Sequence, residues 1–217
     1  MPELNASTVE LTTGATDAIL GILALFCIVY LQQYRGLDKW KVGIWGLIFA
    51  TLFLAAILGA VVHGFELSGN TKTLMWRPLY FLLASLVALF VVAATYDWLG
   101  TRAARHILFL AAPVVVGFFL VTQFIDDSFR IFVIYELVSM LAALCIYVWL
   151  AAKGRLSGAG LIACSILLNI VAAGIQAGGQ AQFTLIWSFD HNGVFHLVQI
   201  IAILVLIAGL RRSLQAP

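Results

Sequence analysis

Charge is scarce in this sequence: of 217 residues only 10% are Asp, Glu, Lys or Arg, 63% are hydrophobic, and the formal net charge is +2. Soluble domains keep about a quarter of their residues charged, so a soluble globular fold is excluded. A net charge this small also gives no grip on nucleic acid. Cysteine is scarce too. Cys27, Cys145 and Cys164 each sit inside an apolar run without paired spacing, which excludes a disulfide framework and reads as three buried, reduced thiols. The first thirteen residues hold Glu3 and Glu10 but no Lys or Arg, so the basic region of a cleaved signal peptide is missing and the first apolar segment is expected to be retained. The lysines, Lys39, Lys41, Lys72 and Lys153, all fall at segment ends, which disfavours a retinal Schiff base in the last span. There is no internal repeat and no low-complexity tract.

What fills the chain is apolar sequence, with a mean hydropathy of +1.06. A hydrocarbon core takes about 20 apolar residues per crossing, and seven stretches are long enough: Gly14–Gln33, Lys41–His63, Pro78–Leu99, Arg105–Phe124, Phe129–Ala151, Leu156–Gly178 and His191–Leu210. Backbone groups in lipid must be satisfied within a segment, so an all-α, seven-helix transmembrane bundle is expected, with residues 1–13 and 213–217 as tails around a single domain, 14–212. Arg35, Lys39 and Lys41, then Arg102 and Arg105, then Lys153 and Arg155, and finally Arg211 and Arg212 fall on one side. The opposite side mixes Lys72, Arg77 and Arg130 with Glu66, Asp126 and Asp127, so the positive-inside rule puts the amino terminus outside and the carboxyl terminus in the cytoplasm. Gly43, Gly46, Gly158, Gly160 and Gly174 are candidates for close helix approach. Asn5-Ala6-Ser7 is a formal glycosylation acceptor.

Polar groups inside a membrane are costly and mark functional candidates unless they are paired or snorkel to the surface. Here they gather in the outer layer: Asp17 on the first span, His63 at the end of the second, Glu136 about two turns into the fifth, Gln176 at the end of the sixth and His196 in the seventh. In the inner half, Asp97 reads as a surface ion pair with Arg102 or Arg105, and His106 as an interfacial histidine. The densest stretch runs from Ser188 to Gln199. Asp190 or Ser188 could cap the last helix. Asn192, His196 and Gln199 then share one face, whereas His191 and His196 point apart.

Imidazole and carboxylate are ligands Zn²⁺ accepts. His63 and His196 are therefore candidate metal ligands, with His191, Glu136 or Asp17 as a third, and a metal-bound water could attack a carbonyl near neutral pH. Glu136 and Asp17 are the candidate catalytic carboxylates. Asn192, Gln199 and Gln176 are candidates for hydrogen bonding around the site, and Arg77 for a lipid phosphate or carboxylate. Two histidines on different helices also leave axial haem ligation open.

Seven helices, Val62-His63-Gly64 closing the second and Phe195-His196 early in the seventh resemble the CREST superfamily of alkaline ceramidases, adiponectin-type receptors and lipid-remodelling proteins. The resemblance implies a zinc-dependent lipid hydrolase held by one histidine of helix two and two of helix seven, in the inner membrane of a bacterium. Carried over, His63 and His196 match, Asn192 stands where the other helix-seven histidine would be, Gly59 stands for a serine, and Trp76-Arg77-Pro78 replaces an acidic start to helix three. The expected function is zinc-dependent hydrolysis of a lipid amide or ester from the outer leaflet. The alternative is a non-enzymatic protein binding a lipid or small ligand in the same place.

Overall fold

A computed structural model describes residues 3–124 and 128–215, with Ser128 described by its backbone alone. Asp126 and Asp127, expected as solvated loop charges, lie outside the described residues. Among them are seven helices long and apolar enough to cross a membrane: α1 (Thr8–Gln32), α2 (Lys39–Gly64), α3 (Gly69–Leu99), α4 (Thr101–Thr122), α5 (Ser128–Ala152), α6 (Ala159–Gly178) and α7 (His191–Gln215). A short antiparallel hairpin, β1 (Phe183–Thr184) and β2 (Ser188–Phe189), joins α6 to α7. The chain is an all-α, multi-pass membrane protein.

Capping residues account for where several helices begin. Ser7 accepts the Glu10 N–H at 3.4 Å, Asp38 the Lys41 N–H at 2.8 Å and Ser68 the Thr71 N–H at 3.3 Å, each satisfying a donor the first turn leaves orphaned. The Ser68 cap starts α3 at Gly69, so Pro78 lies inside the helix instead of opening it. The Ser7 cap starts α1 at Thr8, and the described part of the amino-terminal tail is tied to the end of α2. Leu4 bridges Phe65, the Glu66 N–H donates to Glu3 O at 2.9 Å, and Asn5 Nδ2, the atom a glycan would occupy, donates to His63 O at 3.2 Å.

Helices α1, α2, α3, α5, α6 and α7 pack in that order, and α7 returns to α1 to close a ring. Helix α4 stands outside it against α3, reaching α5 through Phe118, which stacks on Tyr135 at 5.1 Å and meets Phe132 edge-on at 6.2 Å. Outward faces are apolar: Ile19, Ile22, Phe26 and Val29 form an exposed stripe along α1, as a lipid-facing surface requires. Inside, Trp45, Phe49, Tyr147, Ile162 and Leu210 are buried.

The close approaches fall at other glycines than most of those expected. A side chain on Gly43, Gly160 or Gly174 would meet nothing within 4 Å. A Cβ on Gly14 would lie 2.9 Å from the Gly64 nitrogen of α2, and one on Gly209 would lie 3.1 Å from the Gly158 carbonyl oxygen. Of the expected set only Gly158, with φ +79°, sits at a tight crossing, that of α6 with α7.

The end of the bundle where α2 begins holds an unexpected charge cluster. Lys41 Nζ lies 2.6 Å from Asp97 Oδ1, both side chains almost wholly buried, and Tyr147 Oη donates to Asp97 Oδ2 at 2.8 Å. Asp97 is thus not the surface partner of Arg102 or Arg105, and Lys41 is not a snorkelling anchor. Next to them Tyr96 Oη donates to the cap residue Asp38 at 2.7 Å, and its ring stacks on Trp40 at 4.6 Å. Every polar atom of this cluster is paired inside the protein.

Candidate functional site

At the opposite end the ring encloses a cavity of about 660 Å³ to which all seven helices contribute. Most of its wall is apolar or aromatic, including Leu20, Leu52, Leu83, Val87 and Phe132, and its polar lining includes Asp17, His63, Arg77, Glu136, Gln176, His191, Asn192, His196 and Gln199. The sequence-derived site residues therefore do converge on one space. Their pairings differ from those expected.

His196 is buried, and both its ring nitrogens are committed to α1. Nδ1 lies 2.9 Å from Thr16 Oγ1, and Nε2 lies 3.3 Å from Asp17 Oδ1. Thr16 Oγ1 also donates to Thr13 O at 2.8 Å, so hydroxyl, imidazole and carboxylate form one chain of contacts between α1 and α7. Both partners come from the neighbouring helix of the ring, and Glu136 is not among them. Gly59 on α2 makes this possible, because a Cβ there would fall 2.6 Å from Asp17 Oδ2. The missing side chain at Gly59 is the space the Asp17 carboxylate occupies.

His63 is engaged as well. Its Nδ1 is 2.7 Å from Glu10 Oε2, and its ring meets Trp76 edge-on at 5.9 Å. Helix α7 begins at His191 itself, so His191 and His196 diverge as helical spacing requires. His191 Nδ1 instead lies 4.0 Å from Asp190 Oδ2.

Asp190 is the α7 cap. Its Oδ1 accepts from the backbone N–H groups of Asn192 at 3.0 Å and Gly193 at 2.9 Å, and from Thr13 Oγ1 at 3.2 Å. Burial pushes this carboxyl up, but the Gly193 N–H, the Thr13 hydroxyl, the nearby His191 and the Asn192 amide together hold it below the usual carboxylate range. Asn192 is fixed from both sides, donating to Asp190 Oδ2 at 3.3 Å and accepting from Gln176 Nε2 at 3.1 Å.

These pairings decide whether a zinc ion fits. Among the described residues no three His, Cys, Asp or Glu side chains come together as a metal site. His196 has both ring nitrogens turned to α1, His63 has Nδ1 on Glu10 and His191 has Nδ1 beside Asp190. His63, His191 and His196 accordingly do not form the expected ligand set.

Glu136, Gln199 and Arg77 stand apart from this network. Each lines the cavity, and among the described residues none of the three has a hydrogen-bond or ion-pair partner. Sequence reasoning passed over Glu10, Thr13, Thr16 and the role of Gly59. The signal was present: Thr13, Thr16 and Asp17 recur at i, i+3 and i+4 in an otherwise apolar span, a polar stripe on one helix face.

No curated protein and no solved structure matches the chain. A family model described as a family of unknown function (DUF6962) matches residues 12–215, the span of the helical bundle, and the chain belongs to that family.

Proposed function

We propose that this protein is a non-enzymatic, seven-helix membrane protein that binds a lipid or small amphiphile in the cavity, with its amino terminus outside and the cavity opening toward the outer leaflet. The observation that carries this reading is the contrast within the cavity wall: a largely apolar lining with a few polar side chains that have no partner among the described residues. Ligand sites have this composition, at volumes of about 300–1,000 Å³. The orientation rests on the basic residues clustered after α1, α3, α5 and α7. A zinc hydrolase of ceramidase type draws less support, because among the described residues no three His, Cys, Asp or Glu side chains come together as a metal site.

Two measurements test this reading. Native mass spectrometry of protein released from nanodiscs should detect a retained amphiphile that is lost when the cavity is filled by Leu83→Trp and Leu52→Trp; bare protein under all release conditions would oppose it. Metal analysis should find zinc well below one per chain, unchanged in His196→Ala. Stoichiometric zinc that disappears in that variant would restore the hydrolase.

A further inference from the structure

The cavity's unmatched groups say more about the occupant, taking the ligand-binding reading as given. Phe129, Phe132 and Glu136 all line the cavity and are spaced i, i+3 and i+7 along α5, so one helix face presents two aromatic rings and a carboxylate. On α3, Trp76, Tyr80, Leu83 and Val87 repeat at i, i+4, i+7 and i+11 and also line it, and α3 packs directly against α5. A carboxylate on an aromatic, largely apolar wall is the arrangement that recognises an organic cation, since the rings attract it through their faces while the carboxylate neutralises it. Other carboxylates at this end are already engaged, Asp17 on His196, Glu10 on His63 and Asp190 on the α7 cap. The other unmatched charge, Arg77, is not within ion-pair reach of Glu136 and its side chain is exposed. A ligand anion would find its counter-charge there and not at Glu136.

We infer that the cavity takes an amphiphile whose polar group is an ammonium, primary or quaternary, with Glu136 as its counter-ion and the rings of α3 and α5 around it. An aliphatic amine and an ammonium-bearing lipid headgroup share this chemistry.

The test uses the full chain in nanodiscs, titrated with octylamine, octanol or octanoate. Binding is read from Trp76 emission, isolated by subtracting the Trp76→Phe signal. Octylamine should bind the native protein more tightly than octanoate and lose at least tenfold in affinity in Glu136→Gln. Glu136→Asp should recover part of that loss. Octanol should bind both forms alike, which also reports that Glu136→Gln is folded.

Comparing phosphatidylethanolamine with phosphatidylglycerol nanodiscs separates the two sources. A headgroup occupant makes the octylamine loss on Glu136→Gln smaller in the first, by competition, whereas a free amine leaves the loss equal in both. Octanoate binding as tightly as octylamine, or octylamine affinity indifferent to Glu136→Gln, overturns the ammonium assignment while the ligand cavity stands. If none of the three probes alters Trp76 emission, the cavity reading fails and the assignment goes with it.

Discussion

The two ends of this bundle treat buried charge in opposite ways. Where α2 begins, Lys41, Asp97 and Tyr147 form a closed set with every polar atom matched. Where α1 begins, Asp17 and His196 are matched, but Glu136 and Gln199 line the cavity with no partner among the described residues. Both lie on the cavity wall and are partly exposed to it, so their polar groups are open to whatever fills that space. The paired end holds helices together; the other end leaves polar groups lining a cavity, as the proposed ligand-binding reading requires.

The largest expected effect lies at the paired end. Lys41→Ala leaves the Asp97 carboxylate buried without its counter-charge and should cost about 3–5 kcal/mol of stability, whereas Lys41→Met with Asp97→Leu should recover most of it; melting of the three forms in one nanodisc preparation checks both. Equal melting of Lys41→Ala and the native protein would break the comparison from that side.

Next is Gly59→Ala. Its methyl group would lie 2.6 Å from Asp17 Oδ2, so α2 must shift or the Asp17–His196 contact must part, at about 1–3 kcal/mol, the usual range for overpacking. Alanine at Gly43, with nothing within 4 Å, is the neutral control.

Asp190→Ala removes the α7 cap and should cost about 0.5–2 kcal/mol. The sign of its pH dependence follows from the depressed carboxyl. The folded state binds that proton less readily than the unfolded one, so the contribution is full above the unfolded value and is lost as pH falls through the folded value. Native protein and Asp190→Ala should therefore converge in melting temperature in acid and diverge toward neutrality. The smallest effect should be that of Glu136→Gln, within about 0.5 kcal/mol, because it breaks no contact inside the protein.

The seven spans were legible in the sequence because the bilayer imposes length and apolarity residue by residue. So was the layer of polar groups, since helical rise converts sequence position into depth. Asp190 as a cap could be read from residue type and place. Azimuth could not. Which way His196 turns depends on how six helices close into a ring, and that put Thr16 and Asp17 beside it instead of Glu136. Asp97 was misread for a related reason: an aspartate near a span's edge has the same sequence context whether it pairs with surface arginines or turns inward to Lys41. The zinc expectation rested on His63 and His196 sharing a depth, and shared depth does not make two imidazoles available to one ion. Pro78 misled through local propensity, since a capped helix that starts at Gly69 carries it in its interior.

The most direct test sets Glu136→Gln beside Asp97→Asn and measures unfolding of both in the same nanodiscs, without added ligand. Asp97→Asn should lower the unfolding midpoint clearly, while Glu136→Gln should leave it unchanged or raise it, because a carboxylate kept for a ligand contributes nothing to the empty fold. If Glu136→Gln destabilises the bundle as much as Asp97→Asn does, Glu136 is a structural group and the distinction between the two ends is wrong.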